Sequence, residues 1–546
     1  MATLSFKGKT FVQNHHLSVK YHQLIPRKEK SLTDKVNLND NLIIHGDNLI
    51  ALKALLPTYA GKVKCIYIDP PYNTGNEKWV YNDNVNSPMM QEWLGKVVDK
   101  EDFTRHDKWL CMMMPRLKLL RELLADDGVI FISIENNEVH HLIMLMDEIF
   151  QGNFVGNLIW RKKEGGGQTD QYFVTEHEYI LVYAKSPAFQ WLDETIPIDE
   201  AKFNKKDENG KFDAVKLAKW GSGARREDRP SMYFPIKSPD GKNIYPKAPD
   251  GSEGRWRVGK IRMDNLIDND LIYWEKKNGE WIPYEKIYYQ EEAVKKIKER
   301  SILYELANTG DATKMLTNIF GKKDVFENAK PLELVKFLIS HTTDKNSIIL
   351  DSFAGSGTTA HAVLDLNNED GGNRKFILVE CEDYADKITA ERVRRVIKGV
   401  KTAKDEKLKK GLGGTFSYFE LGEPIEMESI LEGKKLPDYM ELARYIFYTA
   451  TGEEFNPSKV KQDKNFIGET EDHEVYLFYE PDIEKLKKLA LTLDTAKKLG
   501  TFRGKKRLVF APAKYLDLND ADLIEKHGLK GIEYCQLPFE IYKMRG

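Results

Sequence analysis

At 546 residues the chain is too long for one ordinary domain and implies roughly two to four, with length enough to bury a catalytic core. Hydrophobic residues at 41% and charged residues at 31% exclude a mainly disordered chain, and no run of about 18 apolar residues is present to span a bilayer. A net charge of -2 lacks the overall basic signature of many nucleic-acid binders, so any DNA surface must be local.

The opening MATLSFKGKTFVQNHHL has no continuous apolar core of the kind a signal peptide needs, and the expected location is the cytoplasm. Residues 1–40 read as a polar extension. From residue 41 the strand NLIIHGD, the helix LIALKALL and the strand KCIYID, ending at Asp69, form a β-α-β unit. A Gly-, Asn- and Trp-rich loop follows. The amphipathic segment PRLKLLRELLADDG then predicts a helix with Pro115 near its start and Gly128 at its end, leading into the strand VIFISI. Further strands at NLIWRK and EYILVYA close a first core block over 41–186.

Between 187 and 324 the periodicity weakens, and Lys, Arg, Trp, Tyr, Gly and Pro intermingle, as in WGSGARREDRPSMYFPIK and GRWRVGK, which predicts an inserted domain. Another α/β unit resumes over 325–400: the helix PLELVKFLIS, the strand NSIILD, a glycine turn, the helix TTAHAVLDL and the strand KFILVE. The fold expected is therefore α/β, Rossmann-like and mostly parallel. Residues 401–546 read as a lysine-rich connector and a small α/β tail whose chemistry is not legible. Cys65, Cys111, Cys381 and Cys535 are far apart without any CxxC pair, as expected of reduced thiols rather than a zinc cluster or disulfide framework.

Asp69-Pro70-Pro71-Tyr72 stands at the carboxyl end of a strand, where open α/β sheets place their ligand crevices. An aromatic amine is a poor nucleophile because its lone pair is delocalised into the ring. Attack on a methyl group needs acceptors that draw the nitrogen towards a pyramidal shape, and Asp69 and the Pro70 carbonyl can supply two. Consecutive prolines stiffen the backbone around them, and Tyr72 can stack on a base. A base inside a duplex would have to be flipped out to reach such a pocket. A proline turn that merely ends a strand is the alternative, and four residues leave both open.

Asp351-Ser352-Phe353-Ala354-Gly355-Ser356-Gly357-Thr358-Thr359 joins a strand to a helix, so a ligand can approach the backbone beside a helix N-terminus. Glu380, ending the next strand, can accept hydrogen bonds from two ribose hydroxyls, which implies an adenosine moiety. The order Gly355-x-Gly357-x-x-Ala360 also satisfies a loose dinucleotide fingerprint, so a nicotinamide or flavin oxidoreductase is the rival from another reaction class.

DPPY followed later in the chain by FAGSG resembles the amino-methyltransferases of DNA in their circularly permuted, β-class order. More narrowly, IYIDPPYNTGNEKWVYNDN, PRLKLLRELLADDGVIFISI and HEYILVYAK resemble the Mod subunit of type III restriction-modification systems. The resemblance implies an S-adenosylmethionine-dependent enzyme in which Asp69, Pro70, Pro71 and Tyr72 hold the target adenine of double-stranded DNA. It implies that Phe353, Ala354, Gly355, Ser356, Gly357 and Thr358, with Asp351 at the strand end, line the cofactor, and that Glu380 binds its ribose. Asp47, in HGDNLIALKAL, matches an acidic position near the cofactor adenine; Lys330, before Pro331, matches one near its methionine end. Aspartate at the first tetrapeptide position favours adenine N6 over cytosine N4. Asn-Pro-Pro-Tyr enzymes that methylate protein glutamine or RNA share the chemistry but usually have the unpermuted order and lack a large insertion. The resemblance further implies a homodimer and a helicase-nuclease Res partner, with an orphan methyltransferase or a non-catalytic DNA-recognition subunit as alternatives.

Arg225, Arg226, Arg229, Arg255, Trp256, Arg257, Lys260 and Arg262 make the insertion a candidate target-recognition domain, since arginine can bridge phosphates or read guanine edges. Acidic residues are nearly as common there, so part of this charge is solvated surface. Trp160-Arg161-Lys162-Lys163 before Gly165-Gly166-Gly167 reads either as a mobile DNA-contacting loop or as a hairpin turn. His15-His16 and His140-His141 have no acidic or cysteine partner at ligand spacing and read as surface histidines, and no metal is expected. No Walker-type GxxxxGK[ST] sequence is present, so ATP hydrolysis would fall to a partner. The expected chemistry is direct SN2 transfer without a covalent enzyme intermediate.

Overall fold

The computed structural model describes residues 4–74, 104–165, 172–290, 294–424, 436–500, 502–518 and 520–537. Its largest feature follows from short, apolar strands that can bury both faces. Ten of them form one sheet: β1 (His22–Pro26), β2 (Leu42–His45), β3 (Val63–Ile68), β4 (Leu124–Ile134), β5 (Phe154–Arg161), β6 (His177–Ala184), β7 (Ile302–Leu303), β8 (Ile348–Asp351), β9 (Lys375–Glu380) and β10 (Ser417–Pro424). The order across the sheet is β1-β10-β2-β9-β8-β3-β4-β6-β5-β7. The six strands from β10 to β4 run parallel, while β6 is antiparallel to both β4 and β5.

The two-residue period of β3 sorts its side chains between two cores. Ile66 and Ile68 pack with Leu52 of helix α1 (Asn48–Tyr59), Leu120 of α2 (Arg105–Leu123) and Leu145 of α3 (Val139–Phe150). Cys65 and Tyr67 face the other way, towards the core holding Ile319 of α4 (Thr309–Phe320), Leu338 of α5 (Leu332–Ser340), Val363 of α6 (Thr358–Asp370) and Val396 of α7 (Glu391–Lys398). Helices thus cover both sides of a doubly wound sheet. Strands β3 and β8 are neighbours, but the chain leaves β3 towards β4 and β8 towards β9. At such a point the crossovers diverge and a crevice opens beyond the strand ends. Asp69 directly follows β3, and Asp351 is the last residue of β8.

One expected boundary is wrong. Pro115 lies inside α2, which begins at Arg105, and Gly128 lies within β4 rather than ending the helix. Trp109, Leu110, Cys111, Met113 and Met114 are all buried, so packing of this apolar stretch extends the helix N-terminally past the proline. Gly128 is a close-approach glycine: a Cβ there would lie 2.9 Å from the Val63 carbonyl oxygen.

Residues 193–299 form a separate compact unit. It contains a four-stranded antiparallel sheet in the order Ile272–Lys277, Glu280–Tyr288, Gly210–Lys216, Lys205–Asp207, and a helix at Lys260–Asp268. Leu217, Trp256, Met263 and Leu266 are buried together in its core. Residues 300–324 belong instead with the larger unit, where β7 pairs in parallel with β5. Towards the C-terminus a second small sheet, ordered Phe466–Glu469, His473–Leu477, Lys506–Ala511, Ile532–Gln536, shares a core with helix α8 (Tyr439–Thr451). Among the described residues no helix is long and apolar enough to cross a membrane.

Candidate active site

The crevice beyond β3 and β8 is a cleft of about 850 Å³ lined by residues from both halves of the core, including Asp69, Pro70, Pro71, Tyr72, Lys330, Phe353, Gly355 and Glu380. The two motifs that lie far apart in sequence therefore share one cavity.

The tetrapeptide is held from behind. The Trp109 indole N–H donates to the Pro71 carbonyl at 2.7 Å. Asn73 follows in the left-handed region at φ 57°, a conformation asparagine tolerates better than most residues, and its side-chain amide donates to the buried Glu138 carboxylate. His106 and His141 place Nδ1 atoms 2.6 and 2.9 Å from the same carboxylate. The ligating atoms of His106, Glu138 and His141 lie within 4.8 Å of one another. The expectation of surface histidines without an acidic partner is thus overturned for His141, because α2 and α3 converge on Glu138. It also fails for His15 and His16, which are both buried.

On the cleft side, the Tyr72 hydroxyl lies 2.7 Å from Asp69 Oδ1 and 2.8 Å from Glu178 Oε2, within donating distance of both. Lys330 Nζ is 2.6 Å from Asp69 Oδ2 and 3.5 Å from Glu178 Oε2, and stands 5.1 Å from the Tyr72 ring centroid. Lys162 pairs with Glu178 at 3.2 Å and with Glu135. Burial pushes the Asp69 carboxyl above its ordinary range, and Lys330 only partly opposes this. Burial also acts on Glu178, but Lys330, Lys162 and the Tyr72 hydroxyl outweigh it and hold that carboxyl below the usual range. The result is a chain of alternating charges across the floor of the cleft. Glu178 and Glu135 were not singled out from the sequence. The available sign was a glutamate at the head of the otherwise apolar run HEYILVYA.

The glycine turn is braced from within. Asp351 Oδ1 accepts the Phe353 amide at 3.0 Å and Oδ2 accepts the Thr359 hydroxyl at 2.6 Å, so both its oxygens are engaged in shaping the turn. Glu380 Oε2 accepts the Gly355 amide at 2.7 Å, and Oε1 accepts the Glu382 amide at 3.1 Å. Arg392, fully buried on α7, donates to Ser356 Oγ at 2.9 Å and Thr358 Oγ1 at 2.8 Å. Thr358 Oγ1 in turn donates to the Lys330 carbonyl at 3.1 Å, joining the turn to the lysine that pairs with Asp69. Ala354 and Phe353 line the cleft; Gly357 caps α6 behind it at φ 80°. Asp47 does not line the cleft. It caps α1, accepting the Ile50 amide at 3.1 Å, and the neighbouring Asn48 takes the place in the wall.

The residues expected to contact DNA divide. Lys162 belongs to the floor of the cleft rather than to a free loop, because Glu135 and Glu178 hold it there. Arg161 lies 3.6 Å from Glu164; Gly166 and Gly167 of the adjoining glycine run lie outside the described residues. Trp256 is a core residue, 1% exposed, whose indole N–H donates to the Phe234 carbonyl at 2.8 Å, so it is not available as a surface contact. Arg255 donates to the Gly223 and Trp256 carbonyls. Arg225 and Arg226 pair with Asp250 at 3.0 Å and Glu253 at 2.8 Å. Arg229 and Arg257 are exposed and form no ion pair among the described residues.

A doubly wound sheet carrying an acceptor tetrapeptide and a glycine turn at adjacent strand ends has the architecture of the Rossmann-like methyltransferases. The chain belongs to the DNA methylase family, which matches residues 63–391. It is 37% identical over 443 residues to the type III restriction-modification enzyme EcoPI Mod subunit of Escherichia phage P1, covering 72% of this chain and 68% of that protein. It is 34% identical to the EcoP15I Mod subunit of Escherichia coli, over 63% of this chain and 59% of that one. The type II methyltransferase M.KpnI of Klebsiella pneumoniae is 36% identical over 61% of this chain and 79% of its own length. Among solved structures, a complex of M1.HpyAVI with SAM aligns with 64% of this chain and 98% of its own at 15% identity and a TM-score of 0.30.

Proposed function

We propose that the protein transfers a methyl group from S-adenosylmethionine to N6 of an adenine flipped out of duplex DNA, acting as the modification subunit of a type III restriction-modification system. The observation that carries this reading is the meeting of Asp69 and the Phe353–Ser356 part of the glycine turn in one cleft. The residues present suit the cofactor: Glu380 faces the cleft as an acceptor for ribose hydroxyls, the glycines admit close approach, and the surrounding carboxylates favour a cationic sulfonium. When bound, S-adenosylmethionine supplies an electrophilic methyl and a neutral thioether leaving group.

The chain's own residues do the rest. Asp69 and the Pro70 carbonyl accept from the adenine amino group and raise the electron density on its nitrogen. That nitrogen forms the new N–C bond as the C–S bond breaks with its electron pair, and the excess proton leaves through Asp69 to solvent. Tyr72 offers a ring face to the base, and Lys330 and Glu178 hold Asp69 and Tyr72 in place. Catalysis is then mainly preorganisation of acceptors in a partly desolvated site.

The test is transfer of tritium from labelled S-adenosylmethionine to DNA, with digestion to locate the label in N6-methyladenine and sequencing to map the modified sites. Asp69→Ala is expected to lower the rate by about a hundredfold or more. Absence of transfer to every DNA offered would overturn the reading. The likeness to M.KpnI favours a second reading, a methyltransferase that works without a Res subunit. Co-purification with a helicase-nuclease chain decides between the two. A homodimer is part of the first reading, and the mass of the protein in solution tests it.

A further inference from the structure

Proteins that remain in water seldom leave two consecutive aromatic side chains bare, because burial of either would be favourable. Tyr172 and Phe173 are each 82% exposed, and Val174 beside them is 38% exposed. They sit on the arm of the β5–β6 hairpin that descends into β6. That arm is fixed to the rim of the cleft: the Lys162 amide donates to the Glu176 carbonyl at 2.8 Å, and the Gly165 amide to Glu176 Oε1 at 2.7 Å. Lys162, Lys163 and Glu178, on the two arms at the base of this hairpin, all line the cleft. Phe173 lies five residues from Glu178, so even full extension at about 3.5 Å per residue keeps it within about 18 Å of the pocket that Tyr72 occupies.

We propose that Tyr172 and Phe173 form a wedge that enters the base stack of duplex DNA at the gap left by the flipped adenine. This inference rests on the methylation reading above and adds to it the device that opens the helix. Flipping strips one base of its stacking neighbours and leaves its pairing partner unopposed. An aromatic face can replace the lost stack on any base, since every base presents a π-surface, and apolar side chains are used in this way to part base steps. The exposure of the pair before DNA arrives is the counterpart of that use. The basic side chains at the hairpin's foot, Arg161 and Lys163, suit the phosphates beside such a gap.

The experiment compares the wild-type chain with the double variant Tyr172→Ala/Phe173→Ala and with Phe173→Tyr, on two short duplexes carrying a methylation site mapped for this protein. One duplex is fully matched; in the other the target adenine faces an abasic position, so that flipping costs little. Replacing the target with 2-aminopurine reports unstacking by fluorescence. The double alanine variant is expected to lose about tenfold or more in kcat/KM on the matched duplex, the size of one lost base–aromatic stack, together with its fluorescence rise. On the abasic duplex it should stay within about twofold of wild type, and Phe173→Tyr should keep the matched activity. Equal rates on the matched duplex would overturn the wedge, as would an equal loss on both duplexes or a change in oligomeric mass in place of rate. If the wild-type chain itself methylates neither duplex, the methylation reading falls and the wedge with it, a result distinguishable because it does not depend on the variants.

Discussion

Lys330 is the residue on which the two halves of the site meet, since its ammonium pairs with Asp69 and its carbonyl accepts from Thr358 of the glycine turn. Glu178 completes the arrangement by accepting from Lys330, Lys162 and Tyr72 at once. Removing one member of a buried charge network leaves the others uncompensated, which costs more than the net worth of the pair. Glu178→Gln keeps the shape and removes the charge. It is expected to lower kcat/KM by about tenfold or more while the dissociation constant for S-adenosylmethionine changes little, because Glu178 lies on the base side of the cleft. Titration calorimetry alongside steady-state kinetics checks the split; equal losses in both would place Glu178 in general folding support. Asp351 gives a separate test through pH. Burial raises its carboxyl from 3.8 to about 7. Between those values the folded chain holds a proton that the unfolded chain has released, so its contribution to stability is greatest at the acid end and declines as pH rises through the window. Asp351→Asn should therefore gain thermal stability relative to wild type as pH goes from 4 to 7, and a constant difference in Tm across that range would contradict the assignment.

At the level of elements, the strands that bear the motifs were legible because each is a short apolar run followed by a distinctive polar segment, as in KCIYID before Pro70 and NSIILD before Ser352. The start of α2 was not, because Pro115 is a stronger local stop signal than the buried apolar run before it is a continuation signal. Glu178 and Glu135 escaped for a related reason: charges at strand ends are ordinarily solvated, and only the fold reveals that three carboxylates and two lysines face one another there. The glycine turn was legible as a close-approach motif, and the structure separates its glycines by mechanism. Gly357 has φ 80°, and a Cβ there would lie 3.1 Å from the Thr389 carbonyl oxygen, whereas Gly371, at φ 67°, would meet nothing within 4 Å. Gly357→Ala should thus suffer both backbone strain and collision, and Gly371→Ala strain alone. The expected readout is a larger fall in Tm for Gly357→Ala and about a tenfold or greater loss of cofactor affinity confined to it. Matching losses in the two variants would mean that the close approach of Thr389 to the turn does not matter.

Over the whole molecule, the sequence loses periodicity across 187–324 and the structure sets a compact unit apart at 193–299, whose surface the sequence does not reveal. Of the basic and aromatic residues that drew attention there, Trp256 serves the core and Arg255 ties the surrounding loops, as their short spacing in GRWRVGK could not reveal. Arg226 is engaged twice, with Glu253 at 2.8 Å and the Tyr233 ring at 4.4 Å from its guanidinium carbon to the centroid. A guanidinium already neutralised by a carboxylate displaces few counterions when it meets a phosphate, whereas an unpaired one displaces nearly a full charge. Arg229, exposed and outside any ion pair among the described residues, is therefore expected to make the stronger phosphate contact. Arg229→Ala is expected to weaken DNA binding across all sequences and to reduce the slope of log affinity against log salt by about one, while Arg226→Ala should change it by less than about half of that. Fluorescence anisotropy over a series of salt concentrations measures both slopes, and the reverse order would show that ion pairing within this unit does not decide which arginines meet the duplex.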